Sequence, residues 1–257
     1  MKAERAAVEA AIDYAGTESI FGALFMHVHR MLAQFWRNDL EGALAESALG
    51  EKMVRLFFPE DQRLRVLTEM LRTSIQFTNL DEPPRTLLVT SPQPTDGKSF
   101  TAANLAAAIA QGGKSVILVD ADLRHPTLHH TFNLPLEPGL TEALLAVEDR
   151  PRALRQTEVD SMRVVTVGSR APDSTELLAS QTFKRYIAEL SEQADVVVMD
   201  SPPVLAVSDA AVLSTLVDGV VLVMDSGKTR IPAAVQAAER IASVGGVILG
   251  VVLNRVK

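Results

Sequence analysis

Short runs of apolar, largely β-branched residues alternate with stretches of helical spacing along the chain from residue 86 onward. The apolar runs are 86–91, 115–120, 163–168, 195–200, 219–225 and 246–254. The helical patterns between them are 98–111, 141–147, 174–193, 208–217 and 231–244. Because the runs are continuously apolar, they predict strands that are buried on both faces, as in a parallel sheet covered by helices. We therefore predict an α/β fold with a doubly wound, mostly parallel sheet.

The part of the chain before residue 85 has no strand signal and shows three helical stretches, near 2–14, 18–49 and 60–79. In the second stretch one stripe of apolar side chains comprises Phe21, Leu24, Phe25, Val28, Met31, Leu32 and Phe35. Such a stripe packs on the chain's own domain or on another arm, or alternatively it docks on a membrane surface or a partner. We predict an N-terminal helical arm of unknown role at 1–60 and an α/β domain at 61–257.

The composition narrows the classes of function. With 25 basic and 32 acidic residues the net charge is −7, so the sequence lacks the excess of basic residues that is typical of proteins that bind nucleic acid. The sequence contains no cysteine, so it has no disulfide framework, thiolate metal site or cysteine nucleophile. The first residues lack the pattern of a secretory signal, and no apolar run approaches the roughly 20 residues that cross a bilayer. We expect a cytoplasmic protein.

A phosphate-binding loop is the main chemical signal. The first predicted strand is followed by SPQPTDGKSF, and a helix is predicted to begin near Gly97. Backbone N–H groups at a helix N-terminus point at a phosphate, Lys98 reaches its outer oxygens, and Ser99 ligates Mg²⁺. Pro92 stands where the full pattern G-x-x-x-x-G-K-[ST] has its first glycine. The prediction therefore depends on the strand before and the helix after the loop.

Three aspartates follow two further apolar runs. Asp120 closes the run 115–120, Asp122 lies two residues on, and Asp200 ends VVVMD in the form of a Walker B segment. Because the carboxyl ends of parallel strands meet at one edge of a sheet, we expect these carboxylates to converge beside the loop. A single aspartate at such a position is also a common helix cap or turn former. Together with Gly-Lys-Ser, the three predict a Mg-nucleotide site.

These motifs resemble those of the bacterial tyrosine kinases of capsule and exopolysaccharide synthesis, whose P-loop ATPase fold is related to that of the Min and Par partitioning ATPases. The segment TSPQPTDGKS (90–99) resembles the first motif of the family, DADLRHP (120–126) the second and DVVVMDSPP (195–203) the third. The segments GLTEAL, TELLAS, VSDAAVLSTLVDGVVLV and LGVVLNR also match, in order. The resemblance covers about 63 to 257, and it identifies the α/β part as a P-loop domain that binds ATP.

The resemblance implies transfer of the ATP γ-phosphoryl group to a tyrosine, with Mg²⁺ as the metal. The implied nucleotide-binding residues are Thr95, Asp96, Gly97, Lys98, Ser99, Phe100, Arg124 and Asn254. The implied catalytic residues are Lys98, Asp120, Asp122 and Asp200. The implied metal ligands are Ser99, Asp122 and Asp200. Asp120 is the candidate acceptor of the tyrosine proton, and its alternative role is a further water contact to Mg²⁺.

The sequence also departs from its relatives. Gln93 replaces the second lysine by which partitioning ATPases reach across a dimer, so that kind of dimer is disfavoured. Members of the kinase family often end in a tyrosine cluster, whereas the only tyrosines here are Tyr14 and Tyr186. Tyr186 lies mid-helix, where a packed aromatic ring is expected.

Two further positions differ. In an element that helps members of the family to assemble into ring-shaped oligomers, only Arg72 is retained. Thr95 stands where the family often has glycine, so a positive φ there would be strained.

The missing tyrosine cluster keeps a second hypothesis open. The main one is a tyrosine kinase that regulates polysaccharide synthesis or export. The alternative is an ATP-binding or ATP-hydrolysing assembly switch that does not phosphorylate tyrosine. The resemblance implies a membrane-embedded partner that controls polysaccharide chain length, which would place the protein at the inner face of the membrane. It also allows a homo-oligomer.

Overall fold

The structure is a computed structural model. It describes residues 68–69, 71–75, 82–171 and 173–255. The helical patterns at 2–14 and 18–49, with the apolar stripe and Tyr14, lie outside the described residues. Within the third pattern, at 60–79, every described residue is helical. The chain divides into two compact units, Met1–Met70 and Leu71–Lys257, and the fold described below is that of the second unit.

The second unit is built on a seven-stranded sheet. The strands are β1 (Thr86–Thr90), β2 (Val116–Asp120), β3 (Leu154–Gln156), β4 (Met162–Val165), β5 (Val196–Asp200), β6 (Gly219–Asp225) and β7 (Ile248–Asn254). Their order across the sheet is β3-β4-β2-β5-β1-β6-β7, and all neighbours are parallel except β3 with β4. The predicted α/β fold with a mostly parallel sheet is confirmed.

Helices connect the strands and flank the sheet. They are α1 (Lys98–Gln111), α2 (Leu128–Thr131), α3 (Leu140–Leu145), α4 (Arg150–Ala153), α5 (Ser174–Ala179), α6 (Gln181–Gln193), α7 (Asp209–Ser214) and α8 (Ile231–Ser243). A 3₁₀ turn at Val147–Asp149 precedes α4. Each crossover between parallel strands contains at least one helix, as a parallel connection requires.

Several elements differ from the predicted pattern, among them the one-turn helices α2 and α4, which no helical pattern indicated. The edge strand β3 has three residues, LRQ, which are too few and too polar to give a strand signal. The helix predicted at 174–193 is two helices, because Ser180 adopts an extended conformation with ψ 153°. Its hydroxyl accepts a hydrogen bond from the Phe183 backbone N–H at 3.1 Å and caps α6.

The core holds α1 close against the sheet. Strands β2, β5 and β6 are buried along their whole length, as their continuous apolar runs predict. On the facing side of α1, Ala102, Leu105 and Ala106 are fully buried, and the two alanines let the helix approach the strands closely. Each fully buried leucine or valine contributes about 1.5–3 kcal/mol. This packing fixes the N-terminus of α1 beside the carboxyl end of β1.

Candidate active site

The carboxyl ends of three adjacent strands form the candidate site. Strand β5 lies between β1 and β2, and in the sheet register Asp200 pairs with Val89 on one side and with Asp120 on the other. The loop after β1 runs into α1 at Lys98, and the turn after β2 carries Asp122. The structure therefore brings together all four residues that the sequence predicts as catalytic.

Lys98 is the positive centre of this cluster. Its ammonium Nζ lies 2.7 Å from Asp122 Oδ2 and 3.9 Å from Asp200 Oδ1, and it donates to Ser99 Oγ at 3.2 Å. Burial disfavours the charged form, but the charges of Asp200 and Asp122 outweigh it and raise the pKa of Lys98 above its usual value. Lys98 is therefore a firmly charged cation in a largely buried position, suited to phosphate oxygens.

Asp200 is a buried carboxylate with unmet hydrogen-bonding capacity. Neither of its oxygens accepts a hydrogen bond among the described residues. Burial raises the pKa of Asp200, and the Lys98 charge opposes this rise. Buried carboxylate oxygens that accept no hydrogen bond are rare and costly, and an ion or ordered water is a common explanation. The acceptors of Ser99, Asp122 and Asp200 are the oxygen ligands that Mg²⁺ or its bound waters prefer, so these residues fit the metal.

Asp120 is also fully buried, but its oxygens are engaged. Oδ2 accepts the backbone N–H groups of Thr127 at 3.2 Å and Leu128 at 3.1 Å, and Oδ1 accepts that of Asp122 at 3.3 Å. Burial raises the pKa of Asp120, and the neighbouring Asp200 charge adds to the rise. Asp120 thus holds the turn after β2 in place, and it pairs with Asp200 in the sheet register.

The phosphate loop is folded around the side chain of Asp96. The carboxylate accepts the Gln93 backbone N–H at 3.0 Å and the Thr229 hydroxyl at 3.0 Å, and it is almost completely buried. Gly97 follows with φ 101°, and a Cβ there would lie 1.9 Å from Asn254 Nδ2. The positive φ therefore favours glycine at position 97, and any larger residue would also have to displace the Asn254 amide. Asp96 therefore shapes the loop from inside, and its carboxylate, which only accepts hydrogen bonds, would not bind a phosphate.

Thr95 adopts a positive φ at the position where the family often has glycine. Its φ is 68°, in the left-handed region that β-branched residues avoid. The Thr95 carbonyl accepts a hydrogen bond from Arg255 Nη1 at 2.9 Å, and the same nitrogen contacts Asp225 Oδ2 at 2.7 Å. Asp225, Thr229 and Arg255 were not predicted as loop residues. Arg255 ends the matching segment LGVVLNR, but no role was assigned to it, and the only signal of Asp225 and Thr229 is their position at the end of β6 and just after it.

The side chain of Arg124 pairs with residues of the same domain. Its Nε and Nη2 donate to the two carboxylate oxygens of Asp209 at 3.0 and 3.2 Å, and Nη2 also donates to the Thr175 hydroxyl at 3.1 Å. Thr175 in turn donates to Asp209 Oδ1 at 2.6 Å. Asp209 is fully buried, and its hydrogen bond raises the pKa of Arg124. The network links the turn after β2 with the first turns of α5 and α7, and neither Asp209 nor Thr175 was predicted as a site residue.

Two other predicted nucleotide contacts lie beside the loop. Asn254, at the end of β7, donates from Nδ2 to the Asp96 carbonyl at 3.0 Å, and its Oδ1 accepts the Arg255 backbone N–H at 2.9 Å. Its side chain therefore supports the loop. Phe100 lies in the first turn of α1 with 54% of its surface exposed. Both residues lie close to the phosphate loop, and neither belongs to the cluster of Lys98 and the aspartates.

Tyr186 is packed in the core, as predicted. The side chain is buried on α6, the Arg150 guanidinium lies 5.2 Å from the ring centroid, and burial raises the pKa of Tyr186 to about 12. Its hydroxyl has no hydrogen-bond partner among the described residues. The ring is therefore inaccessible to a kinase site unless α6 detaches from the sheet.

The described residues contain no group of three or more histidine, cysteine, aspartate or glutamate side chains placed to hold a metal. Within the same ranges, no helix has the length and apolarity needed to span a bilayer.

The sheet order and the loop define the class of protein. A family model, ParA, described as "NUBPL iron-transfer P-loop NTPase", matches residues 83–256. MinD of Pyrococcus horikoshii, crystallised with Mg-ADP, superposes with a TM-score of 0.57 at 21% identity, over 66% of this chain and 70% of that one, which shows the shared fold. The second unit is thus a nucleotide-binding P-loop NTPase domain of the ParA class.

The particular family follows from nearer relatives. Tyrosine-protein kinase YwqD of Bacillus subtilis is 41% identical over 72% of this chain and 78% of its own length. The putative tyrosine-protein kinase CapB of Staphylococcus aureus is 35% identical over 72% and 81%. The crystal structure of the chimerical protein CapA2B2 superposes with a TM-score of 0.71 at 36% identity, over 74% of this chain and 83% of that one. The chain belongs to the bacterial tyrosine-protein kinases, and the resemblance seen in its motifs is confirmed.

Proposed function

We propose that the protein is an ATP-dependent protein-tyrosine kinase that acts in the regulation of capsular or exopolysaccharide synthesis or export. The observation that carries the proposal is Lys98, which starts the helix after the phosphate loop and lies between Asp122 and Asp200. A charged, largely buried cation beside carboxylates is suited to Mg-ATP. The relatives named tyrosine-protein kinases support phosphoryl transfer to tyrosine over an assembly switch without it.

The loop and its lysine would bind the phosphates. Backbone N–H groups at the start of α1 and the Lys98 ammonium would hold the β- and γ-phosphate oxygens. Lys98 is already paired with Asp122 at 2.7 Å, so phosphate oxygens would compete with this carboxylate for the ammonium. Ser99, Asp122 and Asp200 would hold Mg²⁺, which when bound neutralises charge on the phosphates during transfer.

Asp120 is our candidate acceptor of the tyrosine proton. It lies opposite Asp200 in the sheet register and next to the turn that carries Asp122. Three backbone N–H groups fix its carboxyl group, so its direction is set before a substrate arrives. The competing role is a water contact to Mg²⁺. Replacing Asp120 with a neutral side chain would affect a different step in each case, either the rate of transfer or the binding of Mg²⁺.

The acceptor tyrosine would belong to another protein or another subunit. Tyr186 is buried, with burial raising its pKa to about 12, so its hydroxyl is neither presented nor easily deprotonated. A membrane-embedded protein that controls polysaccharide chain length is the partner we propose, as an activator. This would hold the kinase at the inner face of the membrane, on the cytoplasmic side. Self-association of the chain is compatible with transfer between subunits.

The test combines two assays on the full chain. The protein is incubated with Mg-ATP and candidate partners, and both phosphotyrosine and released phosphate are measured. We expect Lys98-dependent phosphotyrosine, which Lys98→Met abolishes. Phosphate release without phosphotyrosine under any partner would instead establish the assembly switch, and a signal that Lys98→Met leaves unchanged would exclude this site.

A second variant separates the two roles of Asp120. If Asp120 accepts the tyrosine proton, Asp120→Asn lowers the rate of transfer and leaves the affinity for Mg-ATP nearly unchanged. If it contacts water on Mg²⁺, the same variant raises the Mg²⁺ concentration needed for half-maximal nucleotide binding. Titration of Mg²⁺ at fixed ATP, followed by single-turnover transfer at saturating Mg²⁺, distinguishes them.

A further inference from the structure

The phosphate loop holds a strained residue next to the groups that would contact phosphate. Thr95 has φ 68°, and a side chain branched at Cβ crowds the backbone in this region. Asp96 and Gly97 follow it directly and lead into α1. Strained backbone persists only where surrounding contacts hold it, so the contacts of Thr95 identify what maintains the loop.

Arg255 makes the contact that holds this turn. Its Nη1 donates to the Thr95 carbonyl at 2.9 Å and to Asp225 Oδ2 at 2.7 Å, so one nitrogen joins the loop to the end of β6. The Asp225 carboxylate is itself fixed, because Oδ1 accepts the Gly227 backbone N–H at 2.9 Å. Arg255 also has a positive φ, 55°, and its backbone N–H donates to Asn254.

Fixing a carbonyl also fixes the N–H on the other side of the same peptide bond. The peptide unit is planar and trans, so its C=O and N–H point in opposite directions. The bond from Arg255 to the Thr95 carbonyl therefore sets the direction of the Asp96 N–H. The bond from Asn254 Nδ2 to the Asp96 carbonyl, at 3.0 Å, does the same for the N–H of Gly97. These are amides of the loop that precedes the helix N-terminus.

We propose that Arg255, held by Asp225, is a positioning residue for the phosphate loop. It keeps Thr95 in the left-handed conformation and aims the following amides toward the phosphates before nucleotide arrives. It contacts the back of the loop through a carbonyl and does not itself bind phosphate. The inference rests on the proposed binding of Mg-ATP at this loop, and it gives a role to Arg255, which lies in the matching segment LGVVLNR without an assigned function.

The first test replaces the guanidinium with an uncharged chain of similar length. We expect Arg255→Met to raise the dissociation constant for Mg-ATP about tenfold, since a charge-assisted hydrogen bond to the loop is lost. The matched control is Arg152→Met, because Arg152 also pairs with an aspartate, Asp149, at 3.0 Å on an exposed surface. The control should bind as the wild type does. Equal affinity of the Arg255→Met and wild-type proteins overturns the proposal.

The second test asks whether Arg255 acts through Thr95. Glycine adopts a positive φ without strain, so Thr95→Gly reduces the need for an external tie. In that background the effect of Arg255→Met should fall to about threefold or less. An equal loss in both backgrounds means that Arg255 contributes general stability or contacts the nucleotide, and either result contradicts a positioning role through this carbonyl.

A nucleotide-free measurement separates this inference from the proposed function. Amide hydrogen exchange of the full chain without nucleotide should be faster across 93–98 in Arg255→Met than in wild type or in Arg152→Met. If wild-type protein binds no Mg-ATP, the proposed function fails, and the exchange result still decides whether Arg255 orders the loop. Unchanged exchange at 93–98 would falsify the inference even where nucleotide binding is intact.

Discussion

Asp120 on β2 lies directly opposite Asp200 on β5, and both side chains are completely buried. Two carboxyl groups in this arrangement disfavour each other's charge, and burial raises the pKa of both. Lys98 offsets part of this cost through its pairs with Asp122 and Asp200. The site therefore stores unfavourable electrostatics, which the binding of a metal cation would relieve.

The first prediction follows from this stored cost. Asp200→Asn removes one of the buried charges and keeps the shape of the side chain. We expect the protein without nucleotide to become more stable by about 1 kcal/mol, since sites tuned for function are often destabilising. We also expect a loss of Mg-ATP affinity. Thermal unfolding with and without Mg-ATP measures both effects, and a lower unfolding temperature in the absence of nucleotide would contradict the idea.

The second prediction concerns Gly97. A Cβ at this position would lie 1.9 Å from Asn254 Nδ2 but 3.7 Å from Asn254 Cβ. We expect Gly97→Ala to weaken Mg-ATP binding at least about tenfold, because of the clash and the positive φ. Adding Asn254→Ala removes the clashing amide together with its hydrogen bond to the Asp96 carbonyl, so Gly97→Ala should cost less affinity in the Asn254→Ala background than in the wild type. Calorimetric titration of the two single variants and the double variant checks this, and an equal loss in both backgrounds would mean that conformation alone causes it.

The third prediction concerns Arg124 and Asp209, of which only Asp209 is buried; 38% of the Arg124 side chain is exposed. Asp209→Ala leaves the guanidinium without its two charge-assisted bonds, which water can partly replace, so we expect a loss of about 2 kcal/mol in the free energy of unfolding. Thr175→Val removes only neutral donors and acceptors of the same network and should cost about 1 kcal/mol. Urea denaturation of the two variants gives the comparison. Equal losses would show that the charge of Asp209 is not what stabilises the network.

The fourth prediction concerns Tyr186. Its hydroxyl is buried without a partner among the described residues, whereas its ring packs in the core beneath Arg150. Tyr186→Phe keeps the ring and removes the unpaired hydroxyl, so we expect unchanged or slightly higher stability. Phosphorylation of partners should also be unchanged. Phosphotyrosine at Tyr186 in the wild-type protein, detected by mass spectrometry, would show that the helix opens and exposes the ring.

Much of the fold could be predicted because its strands are continuously apolar. Strands β1, β2 and β5 to β7 match their predicted runs closely. A strand that is buried on both faces is continuously apolar, so polar residues do not interrupt its pattern. Strand β3 has three residues and lies at the edge, where one neighbour suffices and no apolar run is needed. The break at Ser180 exists because its hydroxyl caps α6. Serine is as common in loops as at the start of helices, so the sequence alone does not reveal the break.

The site could be predicted where chemistry lies at strand ends. Lys98, Asp120, Asp122 and Asp200 meet as the parallel register requires. Arg255, by contrast, is 160 residues from the loop that it contacts, and nothing in its sequence neighbours encodes that contact. Long-range partners of this kind are set by how the strands are ordered in the sheet, which local patterns do not specify.

The network of Arg124, Thr175 and Asp209 has a consequence for how sequences of this family vary. Its three members come from separate connections, and Arg124 and Asp209 are 85 positions apart. Loss of Arg124 alone would strand a carboxylate that has no access to water, and loss of Asp209 alone would release the guanidinium from its fixed orientation. Substitutions at these two positions should therefore be correlated, so that aligned relatives either keep both charges or replace both together.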